Sequence, residues 1–261
     1  MSLKTKSILV LATALVGTAA MAQTTSPPAA PAAAPEPASS LSFNVGVVSD
    51  YRFRSISQTS FKPALQVGVD FAHKSGLYVG AWGSNINWIK DYVGATDGTL
   101  EVDIYGGYKG EIAKDFSFDV GVITYQYPNN TADRVTVNAN TTEVYGALTF
   151  GIVTAKYSQS TGNFIANPNS KGSYYFELAA AFDLGSGFSL TPHVGRQSIP
   201  NQAGSAGDYT DFSLTLGKDF GNGLSASLAA MTSDAKDSFY KVAPYDNLGK
   251  NAVTVGLKYT F

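Results

Sequence analysis

Cysteine is absent from the chain, so no disulfide framework and no thiolate metal site can stabilise it. Long apolar runs are missing too: from Leu41 onward no segment offers even half of the ~20 residues a membrane-spanning helix needs. Only 15% of the residues are charged, and histidine occurs twice, at His73 and His193. There is no H-E-x-x-H zinc motif, no G-x-x-x-x-G-K-S/T phosphate loop and no G-x-S-x-G nucleophile elbow. Glu101 and Asp103, two apart on one strand face, could supply paired carboxylates. Carboxylates at that spacing on a polar lumen are more often solvated or salt-bridged, however, so the reading is of a protein that is not an enzyme, with no catalytic residue, metal or cofactor. A loop holding Asp208 and Asp211 is at most a weak divalent-cation site.

What is present begins with a secretory signal. Lys4 and Lys6 precede an apolar stretch from Ile8 to Val16 and small residues ending in Ala20-Met21-Ala22, which predicts a signal peptide over 1–22 and a mature chain starting near Gln23. Losing Lys4 and Lys6 lowers the basic count from 18 to 16 against 20 acidic residues, a charge of −4. That balance gives no reason to expect a nucleic-acid partner, because phosphate binding needs a basic surface. Residues 23–40 are almost wholly Pro, Ala, Ser and Thr and form a disordered periplasmic leader in this reading.

Residues 41–261 carry the fold. Val253, Val255, Leu257, Tyr259 and Phe261 fall on one face of an extended segment and Thr254, Gly256, Lys258 and Thr260 on the other, a period of two with one face apolar. The pattern recurs twelve times, near 41–53, 62–73, 76–88, 99–109, 115–127, 141–150, 152–160, 172–184, 187–197, 208–219, 223–233 and 250–261. Tight links such as Gly185-Ser186-Gly187 and Gly221-Asn222-Gly223 alternate with longer ones around 54–61, 89–98, 128–140, 161–171, 198–207 and 234–249. Short turns alternating with long loops are the pattern of outer-membrane barrels, and they put both termini in the periplasm. Phe43, Phe71, Phe116, Phe150, Phe182, Phe188, Phe220 and Phe261 all fall near the short-turn strand ends on the apolar face, suited to an interfacial girdle rather than a sandwich core. The expectation is an all-β, closed antiparallel up-and-down transmembrane barrel of about 12 strands.

The last strand resembles the C-terminal assembly signal of bacterial outer-membrane proteins, carried here by Val255, Leu257, Tyr259 and the terminal Phe261. Through it the chain is expected to meet the barrel-assembly machinery, and its outer surface to meet outer-membrane lipids and lipopolysaccharide. The stretches from Asn44 to Thr59, Pro63 to Gln66, Ser75 to Asn85 and Glu101 to Tyr108 also resemble the TorF family of proteobacterial porins, most densely over 44–110. The chain departs from that family at Ser55, where the family has glycine. The resemblance implies an outer-membrane barrel of porin type and no particular substrate.

Strand parity places Arg52, Arg54, Glu101, Asp103, Asp119, Lys156, Glu177, His193 and Lys258 on the inward, pore-lining face, with Asp103, Lys156, Glu177 and His193 nearest mid-height. On the lipid side each such charge would cost about 2–4 kcal/mol near the midplane, so the lumen is either water-filled or self-paired. Two readings follow. One is a narrow channel for passive diffusion of ions or small polar solutes, modestly favouring cations. The other is a plugged structural or surface-interaction barrel. Arg52 and Arg54 near the outer mouth either attract an anionic group or pair with Asp50 or Glu143.

Overall fold

The structure is a computed structural model that describes residues 38–261. The expected signal peptide and most of the leader lie outside the described residues; Ser39 and Ser40, placed in the leader, already belong to the first strand. The strands are β1 (Ser39–Val48), β2 (Arg52–Phe53), β3 (Ile56–Ser57), β4 (Ala64–His73), β5 (Leu77–Asn85), β6 (Leu100–Ala113), β7 (Phe116–Gln126) and β8 (Thr141–Phe150). They continue with β9 (Val153–Ser160), β10 (Tyr174–Ala180), β11 (Phe182–Gly185), β12 (Phe188–Ser198), β13 (Tyr209–Gly221), β14 (Leu224–Ser233) and β15 (Ala252–Thr260). Two single-turn helices, α1 (Trp88–Asp91) and α2 (Asp237–Tyr240), sit in the long loops.

β10 and β11 continue one another across Ala181 and both pair with β12. With β2 and β3 set aside, the rest form a closed antiparallel barrel of 12 strands in which each pairs with its sequence neighbours and β15 returns to β1. Closure leaves no strand edge unpaired, which is how a sheet survives without water to satisfy its backbone. The seam is fixed at its end by reciprocal backbone bonds between Phe43 and Phe261, 2.8 and 2.9 Å.

The strand limits follow the alternation closely, and the turns explain why they fall where they do. In Gly185-Ser186-Gly187 all three residues have positive φ, 80°, 52° and 77°, a backbone path that suits glycine. A Cβ on Gly187 would also stand 2.5 Å from the Asp219 carbonyl oxygen of β13. The wall is inverted relative to a water-soluble protein. Its outside is apolar and exposed, with Phe261 at 66%, and its most buried side chains include polar ones such as Asp103, Glu143 and Gln197. An apolar band over closed strands is what a hydrocarbon surrounding requires. Phe43, Phe261 and Tyr259 stack in succession along the short-turn rim, with ring centroids 5.8 and 5.9 Å apart.

One expectation fails. The first strand does not run to residue 53: it stops at Val48, and residues 49–61 leave the wall and fold inward. Continuing the alternation would put Tyr51 and Phe53 against lipid; they are 0% and 7% exposed, inside the barrel. The physical reason is that an inward hairpin buries both of its faces, so apolar and polar residues can still alternate along it. Positive φ at Arg54 and Ser55 (50° and 65°) turns β2 back onto β3. Ser55 thus takes at some strain a conformation that glycine would adopt freely.

Candidate functional site

The hairpin is fastened inside the half of the lumen that lies beneath the long loops. Gln58 N–H donates to the Tyr51 carbonyl (2.7 Å), Ser57 N–H to the Leu248 carbonyl (3.0 Å) and Asn87 N–H to the Gln58 carbonyl (2.8 Å). The first joins the two arms of the hairpin and the other two tie it to the loops on either side, since a buried backbone group without a partner is costly. Asp50 closes its base, receiving Arg52 Nε at 2.7 Å and Ser57 Oγ at 2.6 Å. Arg52 then donates from Nη1 to the carbonyls of Ser55 (2.9 Å) and Lys250 (2.8 Å). Arg52 is therefore a brace of the hairpin and not a residue of the barrel wall, contrary to its expected pore-lining place.

Arg54 sits at the tip and is likewise off the wall. Its guanidinium donates from Nη1 and Nη2 to the two carboxylate oxygens of Glu143 (3.1 and 2.7 Å) and from Nη1 to Gln197 Oε1 (2.8 Å). It lies over the rings of Phe53 and Tyr175, 4.5 and 4.4 Å from their centroids. A planar fork that pairs two oxygens while its faces rest on aromatic rings is what arginine offers and lysine does not. Tyr125 Oη also donates to Glu143 (3.1 Å), and Tyr209 Oη to the Arg54 carbonyl (3.0 Å). Ser55 Oγ donates to Asp211 (3.0 Å), fixing the tip to β13.

Below this latch the wall carries two groups of charges. On the β10–β13 side His193 Nε2 stands 3.0 Å from Glu177 and its Nδ1 3.7 Å from Asp211, while Tyr175 Oη donates to Asp211 at 2.9 Å. On the β4–β9 side tyrosines hold the carboxylates. Tyr105 Oη donates to Asp70 and Tyr78 Oη to Asp119, each at 2.5 Å, and Tyr78 and Tyr145 are hydrogen-bonded to one another. The Lys156 ammonium lies 4.5 Å from the centre of the Tyr145 ring, on a residue paired across the strands with Glu177. These rings lie flat across neighbouring strands because glycines leave room. A Cβ on Gly107 would stand 2.5 Å from the Tyr78 hydroxyl oxygen, so any larger residue would push that ring into the lumen.

Glu101 and Asp103 occupy the inner face of β6 beneath the hairpin, 1% and 0% exposed. Glu101 Oε1 accepts from Tyr51 Oη at 2.9 Å, while its Oε2 and both oxygens of Asp103 have no hydrogen-bond partner. Lys258 is inward by register, between Gly46 and Ser225, and exposed near the short-turn end. Solvent also reaches Ser42, Asn44, Asp70 and Thr149 in this half, all only partly buried.

The structure thus gathers Glu101, Asp103, Asp119, Lys156, Glu177 and His193 on the inner wall, leaves Lys258 at the rim and assigns Arg52 and Arg54 to the hairpin. Asp208 and Asp211 do not form a cation site. Asp211 is inside the barrel on Ser55 and Tyr175, whereas Asp208 caps the Ile199 N–H at 2.8 Å in the loop. Among the described residues no three His, Cys, Asp or Glu side chains are grouped to hold a metal. The lumen residues that the sequence reading did not place inside are Asp211, Gln197, Tyr51 and the tyrosines over glycine. Strand parity from Tyr209 onward was a signal for Asp211; nothing local marked Tyr51.

No curated protein matches the chain in sequence. Its fold is similar to that of solved porins. The KdgM porin, determined in complex with disordered oligogalacturonate, aligns with a TM-score of 0.53 at 7% identity, over 85% of this chain and 99% of that one. The NanC porin aligns with a TM-score of 0.54 at 12% identity, over 84% and 99% of the two chains. Residues 32–261 match the Gcw_chp family model, described as a bacterial protein of unknown function, and the chain belongs to that family.

Proposed function

We propose that this protein is a porin-like channel of a bacterial outer membrane, passing ions or small polar solutes by passive diffusion with a preference for cations. The observation that carries the reading is the closed barrel with an apolar outside and a charged inside that solvent enters from the short-turn end. Fold similarity to porins and the TorF resemblance over 44–110 support it. The preference for cations rests on the wall: Asp70, Glu101, Asp103, Asp119, Glu143, Glu177 and Asp211 face inward against Lys109, Lys156 and Lys258, while Arg54 is consumed by Glu143. Fixed charge of one sign favours the opposite mobile ion. Oligogalacturonate, bound by KdgM, is a polyanion and does not suit this wall.

In this reading the chain is exported by the signal at 1–22, crosses the periplasm with its leader, and is assembled through Val255, Leu257, Tyr259 and Phe261. Both termini then face the periplasm, the long loops face outward, and the exposed apolar band meets lipid and lipopolysaccharide. No catalytic role is assigned. The ring nitrogens of His193 face two carboxylates and the Tyr175 hydroxyl, an arrangement that positions charge and offers no serine or cysteine nucleophile.

One observation favours a second reading, a plugged structural or surface-interaction barrel: the hairpin fills the lumen beneath the loops with Tyr51, Phe53 and Arg54. Single-channel conductance of the refolded protein in a planar bilayer, with reversal potentials under a salt gradient, separates the two. Discrete steps with cation preference support the channel. A folded barrel that stays silent supports the plug.

A further inference from the structure

Asp103 is the one buried inward carboxylate among the described residues that receives no hydrogen bond; Asp119, Glu143, Glu177 and Asp211 each accept at least one, as does the half-buried Asp70. Its register partners on both sides are aromatic, Trp82 on β5 and Tyr125 on β7, and all three side chains point into the lumen. Two hairpin rings pack edge-on against those walls, Tyr51 on Trp82 (centroids 5.2 Å) and Phe53 on Tyr125 (5.3 Å). Beside Asp103, Glu101 keeps one oxygen free. The cluster therefore presents three unsatisfied acceptor oxygens within an aromatic enclosure, and the cation at the hairpin tip, Arg54, is already paired with Glu143.

Buried carboxylates are kept in proteins where something pairs with them. We propose that Glu101 and Asp103, walled by Trp82 and Tyr125, bind a small organic ammonium ion under the hairpin. Three acceptors match the three N–H donors of a primary ammonium, and aromatic faces attract its charge and its alkyl part. A divalent metal fits poorly, because Ca²⁺ asks for about 6–8 oxygen ligands and only two carboxylates converge here. The hairpin seals these oxygens from solvent, so loading requires Tyr51 and Phe53 to lift, which breaks the Tyr51–Glu101 bond. The site rests on the channel reading, since the lumen is the ligand's path, and it deepens the cation preference into a substrate class.

The test is tryptophan fluorescence of the refolded full-length protein in detergent. The chain has two tryptophans, Trp82 and Trp88; a Trp88→Phe background makes Trp82 the reporter. Methylammonium chloride is titrated against sodium chloride at constant ionic strength. A saturable change with methylammonium alone, weakened about tenfold or more by Asp103→Asn and by Glu101→Gln, is the expected result. A response equal to that of sodium, or one untouched by both substitutions, overturns the proposal. Folding of each variant is checked by heat-modifiable gel migration, and Glu101→Gln carries the test where Asp103→Asn fails to fold. Binding is read at equilibrium, without conductance. A silent barrel that binds methylammonium sinks the channel and leaves the site, whereas a conducting barrel that does not bind sinks the site alone.

Discussion

The half of the lumen beneath the long loops and the half beside the short turns share the same 12 strands but are filled in opposite ways. Under the loops the interior is a packed aromatic and ionic cluster in which Tyr51, Phe53, Tyr125, Glu143 and Gln197 are all buried. Beside the turns it is a partly solvated space lined by Ser42, Asn44, Asp70 and Thr149. The difference is made by one connection. The link from β1 to β4 runs from residue 49 to 63 and turns inward, so a barrel too narrow to leave a wide passage is narrowed further at one end only. In the proposed channel, permeation is controlled at the loop end and the turn end serves as a vestibule.

The strongest way to break this contrast is to remove the hairpin. Val48 and Ala64 are register partners, so a short turn replacing residues 50–60 leaves the wall intact, and single-channel conductance is expected to rise several-fold. An unchanged conductance would show that the hairpin does not set the constriction. Next comes Glu143→Ala, which strands the Arg54 guanidinium between Phe53 and Tyr175. Breaking a buried ion pair from one side costs about 3–5 kcal/mol, read as a lower urea midpoint for unfolding from lipid vesicles. Glu143→Gln, which keeps one acceptor, should lose less.

A smaller effect is expected from Lys156→Gln on the solvated side. Removing an inward cation next to Glu177 should move the reversal potential toward cations with little change in stability; a shift toward anions would contradict the acidic-wall account. Smaller still is Ser55→Gly. Relief of the left-handed backbone, about 1–2 kcal/mol, works against glycine's greater freedom in the unfolded chain, about 0.4–1 kcal/mol, and loss of the Ser55–Asp211 hydrogen bond, about 1 kcal/mol, so stability should stay within about 1 kcal/mol of the parent. A loss well above that would mean the hydroxyl holds the tip alone.

The least effect concerns the loop between β14 and β15, residues 234–251. Hydrogen bonding to Lys250 and to the Asn247 N–H holds the Asp246 carboxyl below its ordinary range, and Asn247 and Lys241 do the same for Asp237. A carboxyl lowered in the folded state contributes stability above its unfolded pKa and loses it as pH falls through the folded value. Amide exchange in this loop should therefore be flat from pH 7 to about 5, once intrinsic exchange rates are corrected for, and rise only below about pH 4. Loosening near neutrality would mean that other groups govern the loop.

How much of this could be read beforehand differs by level. Strand identity was legible because each wall strand separates lipid from lumen, so Val253, Val255 and Leu257 against Thr254, Gly256 and Lys258 leave no ambiguity of period. Connection length was legible for a related reason: Gly221-Asn222-Gly223 permits a tight turn, while the stretch from 234 to 249 cannot be one. The hairpin was not legible, because Tyr51-Arg52-Phe53-Arg54 keeps the alternation of a wall strand while burying both faces. Asp211 was hidden by its nearness to a loop. Pairing of the two arginines with Asp50 and Glu143 was one of the two outcomes the sequence offered, and the structure forms both pairs; choosing that outcome over an anion site took the inward fold, because Arg54 and Glu143 are 89 residues apart.

The sequence by itself determined the export signal expectation, the two-residue period, the alternation of turn and loop and, through these, a closed barrel with charges turned inward. Periodicity, turn chemistry and the cost of charge against lipid all act locally along the chain, so they can be read from it. Which charges meet, which remain unpaired and which loop returns into the lumen were decided only by the tertiary structure. Those outcomes depend on closure, which sets strands far apart in sequence face to face across a space a few side chains wide.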